Sequence, residues 1–291
     1  MPFGDHDVSP ASEMPDPNQL YLNSAIWYFG YGSNIRSASM TKREITPLQA
    51  QAVVVPSYIL TFDIFGIPCA EPAFASIATY QDIEETQQHT QVPPVHGVAY
   101  LLTRDDYRRL VLSEGSGVGY DEIQVEAFPI ANTDYTPGKG IMVHTLKAKY
   151  PFRPNRAPSV RYMVRLLFPL SHYYSSVVTE AKSLLIEGAT ENGLPESYIQ
   201  YLKSLPTFSA GQSTWASLGS SLFLGFFARA VRVLAYSTKL VVNEKGHCPR
   251  LLGTVIVWFY WGMWTWHDYV HARLWGRGDG GIIHYGGLRL S

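Results

Sequence analysis

Two short stretches hold the residues best suited to chemistry. In Tyr28-Phe29-Gly30-Tyr31-Gly32-Ser33-Asn34 an apolar, aromatic run breaks without a linker into residues that favour turns and bare backbone. A strand that ends in a glycine-containing turn before a helix leaves backbone N–H groups unpaired, and glycine lets a ligand approach them closely. Such a nest binds an anion. No Gly-Lys-Ser/Thr follows and the spacing does not fit G-x-G-x-x-G, so a small carboxylate suits the loop better than a nucleotide. The competing reading is a β-turn that needs a positive φ at Gly32. The second stretch is "LSEGSGVGYDE", in which Glu114 precedes three glycines. It falls at the end of an expected helix, where the dipole disfavours negative charge, a setting that suits a general base. The plainer reading is an ordinary exposed glutamate beside a C-cap.

Other constellations are weaker. His267 and His271, at i and i+4, share a face if helical, but a third ligand and the glutamate of H-E-x-x-H are missing, so no metal site is expected. There is no G-x-S-x-G, and nothing pairs a nucleophile with a base. The formal charge of −1, without a basic arm or zinc-ligand spacing, gives no case for nucleic acid. Cys69 and Cys248 lie far apart; they suit a reducing compartment and read as two buried apolar side chains.

The elements that must position Glu114 and the loop follow from pattern. Residues 1–24 are acidic and Pro-rich where a signal peptide needs a basic start and an apolar run, and read as a disordered leader on a cytoplasmic protein. Residues 26–30 read as a strand and Ser37 to Arg43 as a short helix. Gln51 to Gly66 reads as one long strand bent or interrupted at Pro56. "FASIATY", "VHGVAYLLT", "YDEIQVEAF" and "IMVHTLKA" are further strands, the third with Ile123, Val125 and Ala127 on one face. "TRDDYRRLVLSEG" is a helix with Thr103 as N-cap and Gly115 past its end. From Pro158 the pattern turns helical. This order predicts an α+β domain over residues 25–208, with a small, mixed, barrel-like sheet and flanking helices.

Residues 209–291 form a tail of another kind. From residue 211 onward eight Lys and Arg face three Asp and Glu, against 15 and 21 before it. Ser221 to Val242 and Leu251 to Trp266 are hydrophobic segments, the second free of charge but short for a bilayer span. Three arrangements are open: helices packed on the main domain, a hairpin on a membrane surface through residues 221–275, and true spans.

Four stretches carry a family resemblance. Tyr28 to Ile35 resembles the Y-F-x-Y-G-S-N-L signature of the γ-glutamylcyclotransferase family. "EGSGVGYDEIQVEAF" is similar to the family's segment with its catalytic glutamate, then glycines, a tyrosine and a strand. "APSVRY" and "GATENGLPESYIQYLKSL" (Gly188 to Leu205) resemble its closing helices. The resemblance implies an enzyme that lets the α-amine of a γ-glutamyl amide attack its own γ-carbonyl, releasing 5-oxoproline and a free amine. Ring closure is intramolecular, where effective molarities of about 10⁵ M or more are available, so a mould, a base and an anion site suffice. It implies Glu114 as general acid/base, Tyr28, Phe29, Gly30, Tyr31, Gly32, Ser33 and Asn34 around the glutamyl moiety, Tyr162 lining the site, and no metal or cofactor.

The departures are specific. Thr145 stands where the family often has a tyrosine, Gly30 and Ile35 are mild substitutions, and residues 163–187 are longer than the family pattern, as an insertion or a retained intron would make them. The tail is similar to the C-terminal extension of fungal members, with its ending here "WTWHDYV". Some of those members are linked to sulfur-containing toxin pathways and remove γ-glutamyl from glutathione adducts; ordinary glutathione turnover is the other implied role. Two further readings stay open, a non-catalytic small-molecule binder tethered by the tail and amine exchange at the same acyl centre.

Overall fold

A computed structural model describes residues 25–80, 92–130, 139–150, 184–207, 213–243 and 247–279. The leader, Tyr162 and most of the long stretch after it lie outside the described residues.

Five strands close into a barrel in the order β1-β5-β2-β6-β7. They are β1 (Ile26–Gly30), β2 (Gln49–Val55), β5 (Val95–Leu102), β6 (Tyr120–Pro129) and β7 (Ile141–Ala148). Every pairing is antiparallel except the closing one, where β1 runs parallel to β7 at Tyr28 and His144. β1, buried between two strands, is the aromatic run of the sequence. Thr145 stitches the closure: its hydroxyl donates to Phe29 O at 2.9 Å from a fully buried position. This is the position where a tyrosine was expected, and the threonine serves the barrel wall there. Gly97 permits the β1–β5 approach, since a Cβ there would fall 2.3 Å from Gly30 O.

The expected long strand through Pro56 is two. β2 ends at Val55, and β3 (Tyr58–Ile67) pairs with β4 (Glu71–Thr79) in a separate hairpin. Proline cannot donate to a ladder, and at this break the chain changes sheets. Leu60, Phe62, Ala73, Ala75 and Ile77 of the hairpin join the main core with Phe29, Val98, Ala127 and Val143 of the barrel.

Helices surround this frame. α1 (Ser37–Thr41) follows the loop after β1, and α2 (Arg104–Ser113) follows β5. Thr103 caps α2 as expected, its hydroxyl accepting from Asp106 N at 3.1 Å. α3 (Leu184–Glu191) and α4 (Glu196–Ser204) close the domain, burying Leu185, Ala189, Tyr198, Ile199 and Leu202.

The tail is helical: α5 (Thr214–Val241), then α6 (Arg250–Trp266), which runs through a π-helical turn at His267–His271 into α7 (Ala272–Trp275). It packs on the far end of the hairpin. Phe65 and Cys69 form a second core with Phe223, Met263 and Trp264, and Trp264 Nε1 donates to Gly66 O at 3.0 Å. The packed arrangement is therefore present on one face of the tail. Cys69 is buried as expected, its Sγ lying 3.4 Å from His271 Nε2, and burial pushes its thiol up to about 11. Cys248 departs from that expectation: it sits only half-buried, just before α6.

Candidate functional site

β1 ends where the candidate chemistry begins. The chain turns at Gly32 into one 3-10 turn, Ser33–Ile35. Gly32 has φ −100°, so the positive φ of the β-turn reading is not found. The turn is held from outside instead. Ile35 O accepts from Tyr100 Oη at 3.0 Å and from Asn192 Nδ2 at 2.8 Å. Gly188 lets α3 lie against the loop, because a Cβ there would fall 2.2 Å from the Ile35 side chain. The Gly188 to Asn192 stretch of the sequence thus supports a loop that Asn192 reaches across 157 residues, rather than only its own helix.

Glu114 caps the C-terminal end of α2 on the other side of the cleft. Gly115, Ser116 and Gly117 follow with φ of 83°, 55° and 73°, a left-handed run that glycine accepts freely and Ser116 at a cost of about 1 kcal/mol or more. This run turns the chain from α2 into β6. It holds the Glu114 side chain toward the β1 loop.

One carboxylate oxygen carries the contacts. Glu114 Oε1 accepts from Asn34 Nδ2 at 3.1 Å and pairs with Arg43 Nη2 at 2.8 Å. Its other oxygen has no partner among the described residues. Asn34 Nδ2 also donates to Tyr28 Oη at 2.9 Å, whereas Asn34 Oδ1 is buried with no partner among the described residues. Burial, and then the Glu114 carboxylate, raise Tyr28 far above the ordinary phenol range, so it stays neutral. The cleft is lined on one side by Tyr28, Tyr31, Gly32, Ser33 and Asn34 and on the other by Ala75, Glu114, Tyr120 and Leu146. Among the described residues, Glu114 is the one carboxylate in that lining. A base fixed through one oxygen, beside a neutral phenol and a turn that presents backbone, is equipped for proton transfer on a small polar substrate.

Most of the sequence-predicted residues meet here: Glu114, Tyr28, Tyr31, Gly32, Ser33 and Asn34 share one cleft. Phe29 and Gly30 do not line it. Phe29 is buried in the barrel core, and Gly30 gives room to Asn34, whose carbonyl would stand 3.1 Å from a Cβ. Tyr162 lies outside the described residues. Sequence reasoning missed Arg43, which follows the helix after the loop and reads there as one more solvated charge. It missed Tyr120 as well, whose hydroxyl donates to Ala75 O at 2.9 Å. The glycine run just before Tyr120 was the signal available.

His267 and His271 come together in the π-helical turn, buried and stacked with ring centres 5.4 Å apart. His267, though not His271, also gathers two carboxylates: Asp268, its neighbour in the chain, and Asp279, brought in by the fold, offer oxygens within 4.8 Å of it and of each other. Arg277 already engages both, at 2.9 Å from Asp279 and 3.8 Å from Asp268. The group reads as an ion-paired anchor of the tail.

Comparison with known proteins covers the chain in two ways. Residues 213–274 match the family described as the AclK C-terminal domain. A protein of Aspergillus fumigatus named gamma-glutamyl cyclotransferase gliK is 42% identical over 272 residues, 90% of this chain and 92% of that protein. One of Aspergillus oryzae named gamma-glutamyl cyclotransferase aclK is 32% identical over 287 residues, 95% of this chain and 96% of its own. Among solved structures, one titled "Gamma-glutamyl cyclotransferase" shares 18% identity with a TM-score of 0.45, covering 68% of this chain and 98% of that one.

Proposed function

The chain belongs to the γ-glutamyl cyclotransferase family, and on that premise we propose that the cleft at Glu114 is where it cuts γ-glutamyl amides. As a member it is a lyase: the bond broken is the amide C–N, and the bond formed joins the substrate's own α-nitrogen to the carbonyl carbon of that same γ-amide. Neither oxidation nor water enters the balance. The α-ammonium must lose a proton before it attacks, and the departing amine must gain one. Glu114 can do both through the oxygen that Arg43 and Asn34 leave unengaged. Asn34 Oδ1, buried and without a partner among the described residues, supplies an acceptor for an ammonium N–H beside that base. Tyr28, neutral and facing the same cleft, supplies a phenol, and the Tyr31 to Ser33 backbone supports binding of the α-carboxylate.

The observation that carries this reading is the juxtaposition itself: the glycine-containing loop after β1 and the glutamate ending α2 line one cleft. The substrates that fit are a γ-glutamyl dipeptide, glutathione or a glutathione S-conjugate, the last suiting a role in secondary metabolism. Mass spectrometry of 5-oxoproline released from γ-glutamyl-alanine, glutathione and an S-conjugate tests it, with Glu114→Gln in parallel. Release that vanishes in the variant supports the mechanism, and the preferred substrate separates general turnover from a biosynthetic role. Binding without release in the parent chain sinks it in favour of a non-catalytic binder. Release of the amine without 5-oxoproline points to acyl exchange with an outside amine.

We also propose that the free face of α5 lies on an anionic membrane surface. Trp215, Leu218, Leu222, Phe226, Val233, Tyr236 and Leu240 recur at helical spacing and are all exposed. No acidic residue occurs in α5 or α6, while Arg229 and Arg232 are exposed beside the stripe. By length and composition Thr214–Thr238 could cross a bilayer, but Phe223 on its other side is buried with Met263 and Trp264, which favours a helix lying flat. Flotation with vesicles containing phosphatidylserine is expected for the full chain and is expected to fail for Phe226→Asp/Val233→Asp. A parent chain that stays unbound refutes the idea, and a dimer in light scattering would assign the face to a second copy.

A further inference from the structure

The tail reaches the catalytic loop. The turn between α5 and α6 is tied by Asn243, whose side-chain oxygen accepts from His247 N at 2.9 Å while its own N–H donates to His247 O at 2.9 Å. So shaped, the turn offers the next N–H, that of Cys248, to Ser116 O at 2.9 Å. Ser116 is the non-glycine residue in the left-handed run after Glu114, and it is 1% exposed. The His247 ring covers Gly117 so closely that a Cβ there would fall 2.7 Å from its Cδ2. His247 Nε2 meets Glu122 Oε1 at 2.6 Å, and the other oxygen of Glu122 accepts from Tyr107 Oη on α2, the helix that ends in Glu114. Glu122 thus ties three elements together: the tail turn, β6 and the helix carrying the candidate base.

A left-handed serine between two glycines is a conformation the chain leaves readily unless its surroundings fix it. From α2, the run is held by Ser116 N donating to Val111 O at 3.2 Å; from the tail it is held by Cys248 and His247. We propose that the α5–α6 turn is a positioning element for Glu114, with His247 its principal side chain, so that the tail is a working part of the catalytic site. This rests on the reading of Glu114 as the base. A carboxylate that must reach an amine within hydrogen-bond distance is sensitive to small shifts of its loop.

The test uses the full chain with His247→Ala, Glu122→Ala, the double variant and His247→Gln. Expected for His247→Ala is a fall in kcat of about tenfold with KM within about twofold, the double variant being little worse than either single one. His247→Gln, which keeps a donor toward Glu122, should recover most of the loss. Hydrogen exchange at residues 115–119 should quicken in His247→Ala while the core of α2 keeps its protection. Unchanged kcat and unchanged exchange in that loop, with or without a lower Tm, would overturn the proposal and leave the turn as packing alone. Should the parent chain release 5-oxoproline from no substrate, the catalytic reading fails by itself. Exchange in the 115–119 loop then decides whether the tail fixes it.

Discussion

Arg43 Nη2 stands 2.8 Å from Glu114 Oε1 across a sequence separation of 71 residues, with Asn34 Nδ2 on the same oxygen. The pair is largely shielded from water, the two side chains being 22% and 17% exposed. A carboxylate gripped by one oxygen keeps its other oxygen in a fixed place, which is what a base acting on a folded substrate requires. Arg43→Met should therefore lower kcat by about tenfold to a hundredfold, with a much smaller change in KM. That estimate takes a charge-assisted bond as worth about 1.5–3 kcal/mol. Steady-state kinetics of 5-oxoproline release check it, and a KM effect alone would place Arg43 in substrate binding instead.

Glu114→Gln keeps the shape and the acceptor for Asn34 but cannot shuttle a proton. Turnover should fall by at least about a hundredfold, while affinity for a non-cleavable γ-glutamyl analogue, measured by calorimetry, should change little.

Thr145→Val removes the hydroxyl that donates to Phe29 O and leaves a buried carbonyl short of a partner at the parallel closure of the barrel. A loss of about 1–3 kcal/mol in unfolding free energy is expected from denaturant titration. Phe29 immediately precedes the loop, so a drop in kcat alongside would locate the effect at the site as well as the wall.

Trp264 is fully buried, fills the second core against Phe65 and Met263, and donates to Gly66 O. Trp264→Ala should cost about 3–5 kcal/mol at the tail–hairpin junction. Proteolysis within residues 213–279, followed by mass mapping, should become faster well before the barrel melts.

His267 predicts a pH dependence. Its side chain is fully buried, and that burial lowers its proton affinity against the opposing pull of Asp268 and Asp279. The unfolded chain titrates this group near 6.5, so below that value it binds protons that the folded chain resists. Stability from this group is fully present above about 6.5 and declines as pH falls toward the lower folded value. Thermal unfolding between about pH 8 and pH 5.5 should show the decline, and His267→Gln should flatten it.

Much of this protein is determined locally. The strand run of β1, the Thr103 cap of α2, the alternation of β6 and the two apolar tail segments are set by side-chain type and period, which act over a few residues. Glu114 and the loop from Tyr28 to Asn34 stood out as candidates through local features, a helix end and two glycine runs, but those features alone fitted an ordinary C-cap and turn equally, and the role assigned to each came from the family resemblance. Tertiary structure decided which of these features meet. Closure of the barrel and the docking of α3 bring Asn34, Arg43 and Glu114 together and turn Phe29 into the core, although its neighbour Tyr28 lines the cleft. The break at Pro56 became a separate hairpin because only the sheet partners distinguish a bent strand from two. His247 on Gly117, Cys248 on Ser116 and Arg277 between Asp268 and Asp279 carry no periodic signal at all. Contacts between polar side chains far apart in sequence depend on how the whole chain packs, and sequence pattern encodes only the conformation of each piece.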